Sequence, residues 1–288
     1  MSAVTTSNTA AAATVYEDRW RRRMYPVIMH LVMGFAVFVV TFPLIYAIIL
    51  STQSAHLGTL RPGTAVEENF RDAWNSADMG QLIINTLIVA LSVALGKIIL
   101  SVLAAYALIY FRVRGGMAIL ALIMLTHLLP LPVRIVPTYD LLTKLKWVDT
   151  FKGLTIPFFA SATGILLFQQ FFRTVPTDLA DAARVDGAGP FRFLFSILIP
   201  VSRTNIGALF LIEFIYMWNQ YLWPLIVANS ERTRQVQIGI KQLIATDAVI
   251  EWGTLMAGAI MVIIPPLIVL LVLQRSLMSG LTASTEDF

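Results

Sequence analysis

Five stretches of this chain, residues 27–55, 115–133, 153–172, 214–230 and 252–274, contain no Asp, Glu, Lys or Arg. About 20 consecutive apolar residues cross the hydrocarbon core of a bilayer as a helix. A water-soluble helix would interrupt such blocks with a polar face at every turn. The chain is 57% hydrophobic and 13% charged, against about 25% charged residues in a soluble domain, so it lacks the charge to cover a water-facing surface. The expected fold class is all-α, a polytopic membrane protein with six transmembrane helices.

The expected spans are about 27–51, 79–111, 115–138, 153–173, 193–227 and 252–277. They form one six-span domain over 27–278, between an N-terminal tail (1–26, its Ala/Thr/Ser-rich start partly disordered) and a C-terminal tail (279–288). The first apolar block is too long for a signal-peptide core and has no small-residue cleavage site. The formal charge of +4 does not point to nucleic acid. The basic residues lie between apolar blocks, where cytoplasmic loops collect them, rather than in a stripe with interleaved aromatics. The chain has no cysteine, which excludes disulfides, Cys-ligated zinc and thiol catalysis.

An even number of spans puts both termini on one side. Arg19, Arg21, Arg22, Arg23, Arg112, Arg114, Arg173, Arg184, Arg192, Arg203 and Arg275 then share that side. The cluster beside the first span and the very short loop at Arg112 and Arg114 carry most weight under the positive-inside rule. Both termini are therefore expected in the cytoplasm, with the protein in the cell inner membrane.

Between the fourth and fifth spans lies Pro176-Thr177-Asp178-Leu179-Ala180-Asp181-Ala182-Ala183-Arg184-Val185-Asp186-Gly187-Ala188-Gly189-Pro190. Its residues spell a short helix, a glycine turn and a second short helix, about 177–192. Thr177 suits an N-cap, and Asp178 and Asp181 suit the positive end of the helix dipole. Gly187 suits a left-handed C-cap, and Pro190 the first turn of the next helix. Leu179, Ala182, Ala183 and Val185 give a small apolar face that another protein can approach closely.

This segment resembles the EAA motif of binding-protein-dependent ABC importers of the maltose-like carbohydrate-uptake family. Asp181-Ala182-Ala183 stands for EAA, Gly187 or Gly189 for its glycine, and Ile197-Leu198-Ile199-Pro200 for its Ile-x-Leu-Pro-type ending. Asp181 replaces the usual Glu and shortens the arm by one methylene. Gln274 to Ala283 also looks like that branch's C-terminal signature. Three further stretches, Leu95-Gly96-Lys97-Ile98, Leu129 to Ile135 and Phe214 to Leu225, are similar to permeases for sn-glycerol-3-phosphate.

The resemblance implies a type I importer transmembrane domain that supplies half of a solute pathway. It implies as partners a second homologous permease subunit, two ABC ATPase subunits, an extracytoplasmic solute-binding protein and the lipid bilayer. Docking on the ATPase would fall to Asp181, Ala182, Ala183, Asp186, Gly187, Ala188 and Gly189. No cofactor belongs to the chain, since ATP and Mg would bind the ATPase. The implied solute is sn-glycerol-3-phosphate or a glycerophosphodiester, with a disaccharide or other sugar as the alternative.

A charge inside a span is a functional candidate that needs a partner. Lys97 lies mid-way along the second span and Glu213 mid-way along the fifth. Either they form a buried ion pair, or Lys97 faces the cavity and draws an anionic solute inward. In the run from Trp218 to Pro224, the adjacent amides of Asn219 and Gln220 cannot stay unpaired in lipid. They either bond neighbouring helices or line a wet path, where Trp218 and Trp223 would stack on a polyol or sugar; interfacial anchoring explains Trp223 equally well. Arg134, just after Pro132, is expected near the outer interface, where it attracts anions or snorkels. Prolines recur through the spans (Pro43, Pro130, Pro132, Pro137, Pro157, Pro200, Pro224, Pro265 and Pro266). Each marks a kink or a break beside a transport path.

Catalytic chemistry has no residues to rest on. His30, His56 and His127 are scattered, and no HExxH suggests a metal. Gly96-Lys97 is followed by Ile98 rather than Ser or Thr, so there is no P-loop, and there is no GxSxG. The remaining classes are an intramembrane enzyme, which lacks any catalytic set, and a secondary transporter or channel, which needs no docking segment and would show more intramembrane acids or an inverted repeat.

Overall fold

The computed structural model describes residues 5–54, 61–76, 78–111, 113–245 and 251–282. Arg112, His56 and Ala283, named above, lie outside these residues. Every regular element among those described is helical, because a backbone in lipid must satisfy its own N–H and C=O groups. In chain order the α-helices are α1 (Thr5–Leu50), α2 (Val66–Ser76), α3 (Met79–Tyr110), α4 (Gly116–His127), α5 (Leu131–Leu145), α6 (Phe151–Thr155) and α7 (Ala162–Thr174). They continue as α8 (Thr177–Val185), α9 (Pro190–Phe193), α10 (Ile199–Val201), α11 (Arg203–Trp218), α12 (Leu222–Val227), α13 (Val236–Ala245) and α14 (Trp252–Thr282).

Helices α1, α3 and α14 are each long and apolar enough to cross a bilayer. The other three spans are bent pairs. Helices α4 and α5 meet at 97°, α6 with its following 3-10 turn meets α7 at 44°, and the segment Pro190–Val201 meets α11 at 74°. Counting each pair as one span gives six. The bends have local causes. Pro130 is extended and starts α5, and a proline disfavours helix in the residue before it. Pro200 follows a π turn over Leu194–Leu198, the distortion expected where a proline cannot give its N–H to the preceding turn.

Helix α3 is central. Its buried stripe runs through Val89, Ala90, Val93, Ala94, Lys97, Ser101 and Val102, while Ile84, Ile88, Leu95 and Ile99 on the other face are exposed. A helix apolar all round belongs with one face in a protein core and the other in lipid. Helix α7 crosses α3 so closely that a Cβ on Gly164 would collide with the Ser101 hydroxyl, the small-residue approach typical of membrane helices. Two buried clusters result. One gathers Val93, Phe214, Trp218 and Trp223. The other, nearer α8, gathers Tyr106, Phe172, Phe193 and Leu198.

Two expectations change. The N-terminal tail is mostly a continuation of the first helix, which starts at Thr5; it includes the run Ala10-Ala11-Ala12-Ala13, and alanine has the highest intrinsic helix propensity. The fifth span is not continuous to 227, since α11 stops at Trp218 and α12 resumes at Leu222.

Candidate functional site

Lys97 and Glu213 meet where the two clusters adjoin. The Lys97 ammonium donates to Glu213 Oε2 at 2.5 Å, and Lys97 and Glu213 are only 7% and 6% exposed. The other carboxylate oxygen, Oε1, accepts from the Ser161 hydroxyl at 3.0 Å. Ser161 also caps α7 by accepting the Gly164 N–H at 3.1 Å. The Lys97 ammonium lies 5.0 Å from the Tyr216 ring centroid. One carboxylate thus ties α3, α7 and α11 together, with both charges compensated as burial requires.

The pair also forms part of the wall of a cavity of about 390 Å³. To the same wall α5 contributes Arg134 and Thr138, and α12 contributes Trp223. Of the two alternatives left open by the residues, the structure shows the ion pair, and that pair borders the cavity. Arg134 has no hydrogen bond or ion pair among the described residues, and its Nε is buried without a partner. Arg134 lines the same cavity as Lys97, on the helix that starts after the bend at Pro130.

Trp218, Asn219 and Gln220 are not brought to this cavity. Trp218 is 1% exposed and stacks on Phe214 in the core, with ring centroids 5.7 Å apart. Asn219 is exposed, and its Nδ2 donates to the Ile215 carbonyl at 2.9 Å. The Gln220 N–H donates to the Met217 carbonyl at 3.2 Å. These residues settle the orphan carbonyls of a helix end. Of the same run, Trp223 does line the cavity. Tyr216 and Thr138 line it too and were not singled out from the sequence. Helical spacing holds a signal for both, since Tyr216 lies three residues after Glu213 and Thr138 four after Arg134, each on the same face.

The segment between the fourth and fifth spans is a two-helix knob, α8 and α9. Gly187 has φ +73°. The Gly187 N–H donates to the Arg184 carbonyl at 3.0 Å, and the Ala188 N–H to the Ala183 carbonyl at 2.8 Å. This is a Schellman C-cap. Pro190 opens α9 as expected, but Thr177 is the first residue of α8 and Pro176 holds the cap position. Proline's fixed φ lets it lead into the helix without a side-chain acceptor.

The apolar face also divides. Ala183 is buried, whereas Leu179, Ala182 and Val185, three residues apart, look outward, Val185 being 88% exposed. Asp181, Asp186, Gly187 and Gly189 are exposed and Ala188 half-buried. Asp181 and Arg184 form a surface ion pair at 2.7 Å. The knob is held to α3 by the Tyr106 hydroxyl, which donates to the Pro190 carbonyl at 2.9 Å. Phe193 packs against Tyr110, with ring centroids 5.2 Å apart.

At the other end of the bundle, the Asp149 carboxylate accepts the N–H groups of Asn229 and Ser230 at 2.9 and 3.0 Å, and the Thr233 hydroxyl. Burial pushes this carboxyl up, but those hydrogen bonds outweigh it and hold the pKa at about 2, below the ordinary 3.8. No group of three or more His, Cys, Asp or Glu that would hold a metal occurs among the described residues.

Comparison with known proteins gives matches along most of the chain. Residues 97–282 match the family described as binding-protein-dependent transport system inner membrane component. The sn-glycerol-3-phosphate transport system permease protein UgpE of Rhizobium meliloti (strain 1021) is 42% identical, over 92% of this chain and 99% of its own. The protein of that name from Escherichia coli O157:H7 is 41% identical, over 89% of this chain and 95% of its own. Among solved structures, a bacterial ABC transporter involved in the import of the acidic polysaccharide alginate has a chain that superposes with a TM-score of 0.79. That chain is 22% identical, over 88% of this chain and 96% of its own, a likeness of fold.

Proposed function

The chain belongs to the family of binding-protein-dependent transport system inner membrane components, and from that premise we propose a solute, an orientation and a set of partners for it. It is a multi-pass permease subunit of an ABC importer and is not itself an enzyme. Its solute is sn-glycerol-3-phosphate or a glycerophosphodiester. The observation that carries this is the similarity, along nearly the whole chain, to permeases named for sn-glycerol-3-phosphate.

The knob and both termini face the cytoplasm, the side favoured by the arginine cluster at 19–23. There the outward stripe of Leu179, Ala182 and Val185, with Asp181 and Asp186 beside it, docks on an ATPase subunit that binds ATP and Mg. Ala183, Ala188 and the Schellman turn at Gly187 keep the stripe rigid, and Gly189 leaves room for close approach. A second permease subunit completes the pathway, and a solute-binding protein delivers the solute to the outer face. The Tyr106–Pro190 hydrogen bond and the aromatic contacts beside it join the knob to α3, the helix that carries Lys97. Movement of the knob therefore bears on the cavity wall, and nucleotide and solute bias one two-state equilibrium.

The test is ATP-dependent uptake by the importer reconstituted with its partner subunits in vesicles. Uptake of sn-glycerol-3-phosphate, blocked when ATP is withheld, is the expected result. Uptake of a disaccharide with no uptake of sn-glycerol-3-phosphate would sink the solute assignment.

A further inference from the structure

We propose that Arg134 receives the phosphate group of the solute inside the membrane cavity, a proposal that rests on the phosphate-bearing solute argued above. Of the residues lining the cavity, three are charged, Lys97, Glu213 and Arg134. Lys97 spends its charge on Glu213 at 2.5 Å, and the second oxygen of Glu213 is taken by Ser161. That pair is closed. Arg134 is left as the cation uncompensated among the described residues, with a buried Nε that has no partner there.

The rest of the Arg134 side chain is half-buried at the cavity wall, and a buried donor without a partner is costly. A site that keeps one has a use for an anion. A guanidinium matches phosphate because its planar fork gives two parallel N–H donors to two oxygens. The surroundings agree. Thr138 stands one turn along α5 on the same face and borders the cavity. Leu131, the first residue of α5, also borders it, so the N-terminal turn of that helix lies at the cavity. Tyr216 and Trp223 supply aromatic wall for the carbon skeleton. The role given from sequence to Lys97, drawing an anion inward, therefore passes to Arg134.

The experiment uses the assembled complex of permease and ATPase subunits without binding protein. Its thermal unfolding is followed as sn-glycerol-3-phosphate or glycerol is added, for wild type, Arg134→Gln and Arg134→Lys. Wild type is expected to be stabilised by sn-glycerol-3-phosphate and not by glycerol. Arg134→Gln should respond with an apparent affinity about tenfold weaker, the scale of one charge-assisted hydrogen-bonded contact. Arg134→Lys should fall between. Without solute, Arg134→Gln should unfold at the wild-type temperature or above, because the cation has no partner to lose. A lower temperature would mean that Arg134 compensates a carboxylate of another subunit, which overturns the proposal. Equal responses in wild type and Arg134→Gln overturn it too, as does no response in wild type. Uptake by the wild-type importer is measured in parallel: its absence removes the solute assignment, whereas normal uptake with any overturning result removes only the role of Arg134.

Discussion

Lys97 and Glu213 carry opposite charges into an apolar interior, and removing one leaves the other uncompensated. Lys97→Met is expected to destabilise the protein by about 3–5 kcal/mol, whereas Lys97→Met with Glu213→Met should recover most of that loss. Thermal unfolding of the purified complex, run as a double-mutant cycle, checks this, and additive losses would show that the two residues act separately. Asp149 invites a pH experiment. Its folded-state pKa is depressed, from 3.8 to about 2. Its contribution is therefore fully present above the ordinary carboxylate range and is lost as pH falls from about 4 toward 2. Asp149→Ala should lower stability at neutral pH by about 1–3 kcal/mol, since the Asn229 and Ser230 N–H groups lose their acceptor. The variant should also show a shallower acid slope than wild type over that window, and parallel curves would refute the assignment.

Among the elements, the knob and its link to α3 make the sharpest predictions. Tyr106→Phe removes one hydrogen bond, worth about 1 kcal/mol, and leaves the ring in place. The complex should assemble and hydrolyse ATP, but transport less solute per ATP; unchanged coupling would mean that the Pro190 contact transmits nothing. Gly187→Leu forces an L side chain into left-handed backbone at a cost of roughly 1–2 kcal/mol. It should loosen the Schellman turn and uncouple ATP hydrolysis from uptake in a protein that still inserts. Asp181→Lys should uncouple in the same way. Its pair with Arg184 is exposed and so worth less than about 1 kcal/mol to stability, which leaves docking as what the variant reads. These elements were well marked in the sequence, because a left-handed glycine and a helix-starting proline are local requirements. Trp218, Asn219 and Gln220 were not, since a helix end and a wet path ask for the same amides.

For the molecule as a whole, the absence of cysteine makes the orientation directly measurable. Val185→Cys on the exposed knob and Asn229→Cys at the far end should react with a membrane-impermeant maleimide from opposite sides. Val185→Cys should be labelled only once the cytoplasmic face is opened, and labelling of intact cells at Val185→Cys would invert the topology. The wide apolar exterior, with Phe35, Val40 and Val136 more than two-thirds exposed, was legible from residue order. Hydrophobicity adds up along a chain, and a lipid crossing needs only length and the absence of charge. Six spans, a knob between the fourth and fifth, and two charges placed in apolar surroundings all follow from that. Who pairs with whom does not. Lys97 and Glu213 stand 116 residues apart, and their meeting depends on how α3 and α11 cross. The turning of Arg134 toward the same cavity depends on the angle at Pro130. A proline announces that a helix will bend, but the direction is chosen by the helices it bends against, and that choice leaves one cation of the cavity paired and the other without a partner among the described residues.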